Sequence, residues 1–342
     1  MTMKADRAKY DTVPSKYWSK WKPPAPVEDE ELASRYEALV AASFADRTWQ
    51  SLESVTRSVD KIAKKFRLDL AMPWSSNKLL QFVLAGSTMW KADTIKQYVS
   101  RINSVHKLLG MDELKQTPWV KRVIIGLSNI EKEMPARLAV TPAWMKIIRK
   151  ELCRAPWPLE RKRLFWAVAT LLFSGSLRQS EVLPFQVYKF KPDSTLLGSD
   201  IEVKQEKVEN KWVTFMLLRI RSPKEIKATA KKSTWVELFK QEGRGSWLCP
   251  VKAFLRYKRL VRGNVIHPDL PAIRTKEGKG YTGDMFNKDL KGLLTKHKIY
   301  NGGVGILSHS FRAGVASTLA RLGFPEETIA AQGRWSSTCY NR

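Results

Sequence analysis

Apolar residues recur at three- and four-residue spacing through most of this chain, the period of helices with one buried face, and change to near alternation in a single central stretch. Five such helical segments fall between residues 29 and 134: 29–44, 47–68, 75–90, 92–111 and 117–134. Ser76 and Asp93 stand where side chains cap helix starts, so the region is expected to be a small helical bundle. Before it, residues 1–28 are proline-rich and aperiodic, which predicts a flexible or surface-draped N-terminal arm. Two prolines bracket residues 135–142 and mark a linker, leaving 143–342 as a second domain. Within that domain 143–153 and 159–176 read as helices, the second turning wholly apolar and ending at Gly175. Residues 211–223 and 233–240 carry β-branched and aromatic residues in near alternation around a basic turn, 224–232, predicting a sheet of two or three strands. Helical periods return at 249–260, 284–297 and 308–323, and in the last helix Pro325 is expected at the first helical position with Gly333 closing the end. The pattern therefore predicts a mainly α chain: an N-terminal helical bundle followed by a mixed α/β domain of helices with one small antiparallel sheet.

Length and composition narrow the class. At 342 residues the chain can bury two cores without metal or disulfide support. Sixty Lys and Arg against 33 Asp and Glu leave a formal charge of +27, spread through both halves. Such an excess repels itself in a folded molecule unless a polyanion neutralises it, which points to nucleic acid or an anionic surface as the partner. The plainer alternative is a soluble basic protein. Cys153, Cys249 and Cys339 show neither disulfide-framework nor zinc spacing, which points to a reducing compartment and no metal site. No apolar run reaches the length of a membrane span, and residues 1–11 lack a signal core. In the bundle, Arg57, Lys61, Lys64, Lys65, Lys91, Lys96 and Arg101, with His106 further along, form a basic set suited as a whole to duplex phosphates; taken singly, each reads first as part of a solvated face.

The candidate chemistry lies in the second domain. His309 and Arg312 stand three apart in LSHSFRAGVAS (307–317), so on a helix both leave one face and can meet one anion. Far upstream, SGSLRQSEVL (174–183) sets Arg178 after a glycine turn at a helix start, where backbone N–H groups also favour negative charge. Glu181 follows one turn later and can hold the Arg178 guanidinium, or be an exposed helix acid. Fixed arginine forks stabilise the charge that builds on phosphoryl oxygens when a phosphodiester breaks without metal. His309 can donate to the same phosphate or handle the proton of an attacking group. No Gly-rich nucleotide loop of the P-loop kind occurs, and no cofactor is implied.

The order Arg178, basic hairpin, HSFR, GRW and Tyr resembles the tyrosine recombinases, the phage-integrase family, and the GRW form is similar to that of eukaryotic mobile-element recombinases of DIRS and Crypton type and of Cre-like enzymes. The resemblance implies a core-binding bundle and a catalytic domain closing as a clamp on double-stranded DNA. It implies site-specific recombination or integration through a 3′-phosphotyrosyl intermediate, with neither ATP nor metal, by a homotetramer on two DNA sites. Residue by residue it implies Arg178, Arg312 and His309 on the phosphate, Lys224 (or Lys227) as the acid for the 5′ leaving oxygen, and Trp335 donating its indole N–H. The family's tyrosine lies eight or nine positions after the His or Trp, at 343 or 344 here, whereas Tyr340 is five after Trp335. Two readings stay open: Tyr340 attacks through a displaced register, or the nucleophile lies beyond the residues given. A mobile-element recombinase of eukaryotic type is expected in the nucleus, otherwise with the nucleoid in the cytoplasm. Two rivals share these features: a DNA-binding protein on a recombinase scaffold without a working nucleophile, and a type IB topoisomerase.

Overall fold

The computed structural model describes residues 28–42, 46–131, 138–190, 192–221, 233–297 and 305–335. Residues 1–27 of the expected arm, linker residues 135–137, the hairpin turn bearing Lys224 and Lys227, Cys339 and Tyr340 lie outside them. The chain divides into two compact units, Met1–Glu133 and Met134–Arg342.

The first unit is helical: α1 (Glu30–Ala42), α2 (Asp46–Phe66), α3 (Ser76–Ser87), α4 (Ala92–Leu108) and α5 (Pro118–Ile130). The apolar stripes of α2 to α5 meet in one core that includes Val55, Ile62, Leu79, Phe82, Ile95, Val99, Ile102 and Val120. Two expected caps move by a residue or two. The Ser75 hydroxyl, not that of Ser76, accepts from the Lys78 N–H, and Lys91 precedes α4, leaving Asp93 in the first turn to pair with Lys96 at 3.2 Å. His106 leaves the basic set altogether. It is 1 % exposed, its Nε2 accepts from the Trp74 N–H at 3.2 Å, and its Nδ1 lies 3.3 Å from the Asp112 carbonyl. Burial holds its pKa below the usual imidazole range.

The second unit begins with α6 (Pro142–Arg154) and α7 (Leu159–Ser174), continues through the short α8 (Gln179–Val182), and then forms an antiparallel sheet in the order β1 (Ile201–Val208), β2 (Lys211–Ile220), β3 (Thr234–Phe239). Helices α9 (Pro250–Arg262), α10 (Gly283–Leu294), α11 (Ser308–Arg321) and α12 (Glu326–Gly333) complete it. Every residue of α7 from Leu164 to Phe173 is buried, and α9 and α11 pack against it, which explains why that segment reads as apolar on all sides. Strand β1 carries Glu or Lys at half of its positions and is largely exposed, so it shows no apolar alternation of its own; pairing along β2, from Ile201 opposite Leu218 to Val208 opposite Lys211, makes it a strand. Several ties fix α10. Buried Asp289 accepts from the Tyr281 hydroxyl at 2.7 Å and is paired with Arg161 of α7.

Candidate functional site

Arg178 is the residue that begins α8, and the reason is local. Its backbone N–H donates to Glu181 Oε2 at 2.8 Å while the Glu181 N–H returns to the Arg178 carbonyl at 2.9 Å, a reciprocal cap closed by an acid three residues on. The same carboxylate takes Arg178 Nη1 on Oε1 at 3.1 Å. Glu181 is thus no exposed helix acid: only 4 % of its side chain is accessible, and it holds Arg178 twice. Just before it, Ser176 takes the left-handed conformation (φ 47°), so the turn that follows α7 bends at Ser176 and not at Gly175, whose φ is −88°.

Arg312 lies on α11 one turn after His309. The two differ in setting: Arg312 is 5 % exposed, while His309 faces solvent. Their helix is set deep by Gly314. A Cβ there would stand 1.8 Å from the Val140 carbonyl oxygen, and the Val140 N–H donates to the Ser310 carbonyl at 2.8 Å, so the segment entering α6 runs backbone to backbone against α11. The start of α11 is also tied toward Arg178. The Ser308 N–H donates to Asn287 Oδ1 at 3.3 Å, and Asn287 Nδ2 donates to the side chain of Gln179, the residue after Arg178, at 3.2 Å.

What joins the two arginine segments is the tripeptide Gly333-Arg334-Trp335. Arg312 Nη2 donates to the Gly333 carbonyl, and the Arg312 guanidinium sits over the Trp335 ring, 4.9 Å from its centroid. Arg334 Nη2 donates to Glu181 Oε2 at 2.9 Å and reaches the Ser176 carbonyl at 3.4 Å. The expected order at this end of α12 is corrected in two places. Pro325 is the residue before the helix, and Gly333 is its last residue; the left-handed residue that ends it is Arg334 (φ 53°). Gly333 is required for a different reason, since a Cβ there would fall 2.0 Å from the Trp335 ring.

The structure therefore ties Arg178, through Glu181 and Arg334, and Arg312, through Gly333 and Trp335, to one turn, and keeps His309 on the helix that carries Arg312. The side chains of Lys224 and Tyr340 are outside the described residues. Sequence reasoning missed Arg334, Asn287 and Gly314. Arg334 stood inside the GRW motif and carried no separate signal, and Asn287 and Gly314 acquire meaning only from what faces them. Two tyrosines are committed elsewhere: Tyr281 to Asp289, and Tyr257, whose hydroxyl accepts from the Arg274 N–H at 2.9 Å and whose pKa burial pushes up to about 12. Among the described residues no group of three or more His, Cys, Asp or Glu is placed to hold a metal ion, and no helix is long and apolar enough to cross a membrane.

In the bundle, Arg57, Lys61, Lys64 and Lys65 are exposed along α2, Lys91 and Lys96 are exposed at the start of α4, and Arg101 is half-buried. Arg57 lies 3.9 Å from Glu53, and Lys65 lies over the Phe66 ring.

No protein-family model matches the chain, and no curated protein sequence does. Solved structures do. A lambda integrase dimer bound to a COC′ core site is similar at 12% identity over 90% of this chain and 74% of that one, with a TM-score of 0.57. A lambda integrase tetramer bound to a Holliday junction gives 11% identity, 90% and 78% coverage and a TM-score of 0.56. The XerH site-specific recombinase bound to a palindromic difH substrate gives 12%, 95%, 87% and 0.54. At these identities the likeness is one of backbone, and the chain has the fold of the tyrosine recombinases.

Proposed function

We propose that this protein is a DNA breaking-and-rejoining enzyme, a site-specific recombinase or integrase of the tyrosine-recombinase type. The observation that carries the reading is the GRW turn, which gathers Arg312 through Gly333 and Trp335 and Arg178 through Glu181. Two guanidiniums fixed on one turn suit the non-bridging oxygens of a scissile phosphate, whose charge grows as the attacking oxygen adds. Because both are held by groups of the protein, little reorganisation remains for the moment of reaction.

In this scheme a tyrosine oxygen forms a bond to phosphorus as the bond from phosphorus to the 5′ oxygen breaks. The tyrosine proton leaves toward His309 or solvent, and the departing 5′ oxygen takes a proton from Lys224. The phosphotyrosyl bond keeps the energy of the broken linkage, so the 5′-hydroxyl of a second strand reverses the step. Tyr340 is the candidate nucleophile among the residues given, and Trp335 supplies an N–H beside Arg312. Duplex DNA is the partner, bound by the catalytic unit and by the exposed basic residues of α2 and α4. A tetramer on two sites, movement of a mobile element and residence in the nucleus complete the proposal.

The test is covalent capture. The protein is mixed with nicked duplexes of randomised sequence, already enriched for binding, and an adduct that survives SDS is sought. Arg178→Ala and Arg312→Ala are each expected to abolish the adduct, a loss of about a thousandfold or more, while duplex affinity stays within about tenfold. Near-parental cleavage by either variant refutes the assignment. Tyr340→Phe is expected to remove the adduct; an adduct that persists moves the nucleophile to another tyrosine. Tight binding with no adduct from the unmutated chain identifies a binding scaffold, and relaxation of supercoiled plasmid of arbitrary sequence identifies a topoisomerase.

A further inference from the structure

Glu181 is a buried carboxylate shared by two guanidiniums, and the second was not among the residues that the family resemblance assigns. Oε1 receives Arg178 Nη1 at 3.1 Å, and Oε2 receives both the Arg178 N–H at 2.8 Å and Arg334 Nη2 at 2.9 Å. Arg334 reaches this place from a left-handed backbone, φ 53°, a conformation that a residue with a Cβ adopts only when its surroundings hold it there. Its Nε and Nη1 are shut off from solvent and have no acceptor among the described residues. The side chain is 13 % accessible. Among the described residues its charged partner is Glu181, and its effect on the site passes through that carboxylate.

From this arrangement we infer that Arg334 is a positioning residue for the phosphate grip. It has two effects. The first is electrostatic. With Arg178 and Glu181 alone, one positive and one negative charge would nearly cancel, and the carboxylate would draw the whole Arg178 fork onto itself. Arg334 takes part of the Glu181 charge, so the three groups together keep a net positive balance and less of the carboxylate's charge falls on Arg178. The second effect is mechanical. Arg334 is flanked by Gly333, whose carbonyl receives Arg312, and by Trp335, whose ring lies under the Arg312 guanidinium. Pinning Arg334 to the turn that carries Arg178 therefore sets the spacing between the two arginines. The substrate class is that of the preceding proposal, a DNA phosphodiester, and the inference rests on that reading.

The experiment has one arm without DNA and one with it. Arg334→Gly is the informative variant, because glycine takes the left-handed turn without strain and removes only the side chain; Arg334→Lys retains the charge. In the first arm, amide hydrogen exchange is followed in the full chain. Arg334→Gly is expected to raise exchange in residues 176–183, and Glu181→Gln to raise it in residues 330–335, each by about tenfold or more. In the second arm, single-turnover cleavage of the captured duplex is measured. Arg334→Gly is expected to slow cleavage about 10- to 100-fold with duplex Kd within about threefold, Arg334→Lys to recover part of the rate, and Arg334→Gly with Glu181→Gln to lose no more than Glu181→Gln alone. Parental cleavage by Arg334→Gly, additive losses in the double variant, or exchange that does not change reciprocally each overturn the assignment. A loss of affinity equal to the loss of rate does so too, because it marks a structural or binding role. An unmutated chain that forms no adduct overturns the cleavage reading instead, and the exchange arm, which needs no DNA, tells the two failures apart.

Discussion

Gly314 and Gly292 show how one residue type has opposite meanings within one unit. Gly314 lies where α11 touches the Val140 backbone, and its missing Cβ is the condition for that contact. Gly292 lies within α10, and a methyl group added there would meet nothing within 4 Å. Gly314→Ala is expected to destabilise the second unit by about 3 kcal/mol or more, since backbone must move to admit the methyl. Gly292→Ala is expected to stabilise it by about 0.5–1 kcal/mol by restricting the unfolded chain. Urea unfolding midpoints check both, and equal shifts would contradict the packing described. Glu181 makes the same point for a charged group. Its spacing from Arg178 was legible in the sequence, but its burial, and the second arginine on it, depend on residues 153 positions away.

At the scale of elements, the ends of helices were less legible than their existence. The α3 cap moved from Ser76 to Ser75, and the end of α12 moved from Gly333 to Arg334, because hydroxyl and guanidinium partners, and not the apolar period, choose the last turn. Strand β1 had no readable pattern because its exposed face and edge are lined by Glu and Lys. His106 gives a prediction that belongs to α4 and the turn after it. Its neutral imidazole accepts from Trp74 and faces Asp112, and burial lowers its pKa. The unfolded chain then binds the proton more readily than the folded one, at an unfolded pKa of about 6.5. Stability of the first unit is therefore expected to be flat above that value and to fall as pH drops through it toward the lower folded pKa, levelling off below. Unfolding midpoints of the chain measured from pH 8 to pH 5 check the sign, and His106→Gln is expected to flatten the slope at the cost of a lower midpoint.

For the molecule as a whole, the charge of +27 is the dominant quantity. Each phosphate neutralised by Lys or Arg releases counterions, and log affinity for duplex DNA falls with log salt at a slope of roughly −0.9 per contact. Affinity is expected to fall at least tenfold between about 50 and 200 mM salt, and replacing Lys61 and Lys64 together by Ala is expected to make the slope shallower by about two. Titrations of a fluorescent duplex at several salt concentrations check this; an unchanged slope would take the α2 face off the DNA.

The sequence by itself determined the helical bundle, the small sheet, the net charge and the chemical types at the site, because apolar period, net charge and residue identity are properties of the chain read in order. Tertiary structure decided which of those residues meet. Arg178 and Arg312 stand 134 positions apart along the chain, and nothing between them records their approach; the GRW turn, Glu181 and the Gly314 contact create it. Burial also decided sign and role: it removed His106 from the basic face, chose for Glu181 the anchor over the exposed helix acid, and set Arg334 on the same carboxylate, a pairing that its place in the motif did not announce.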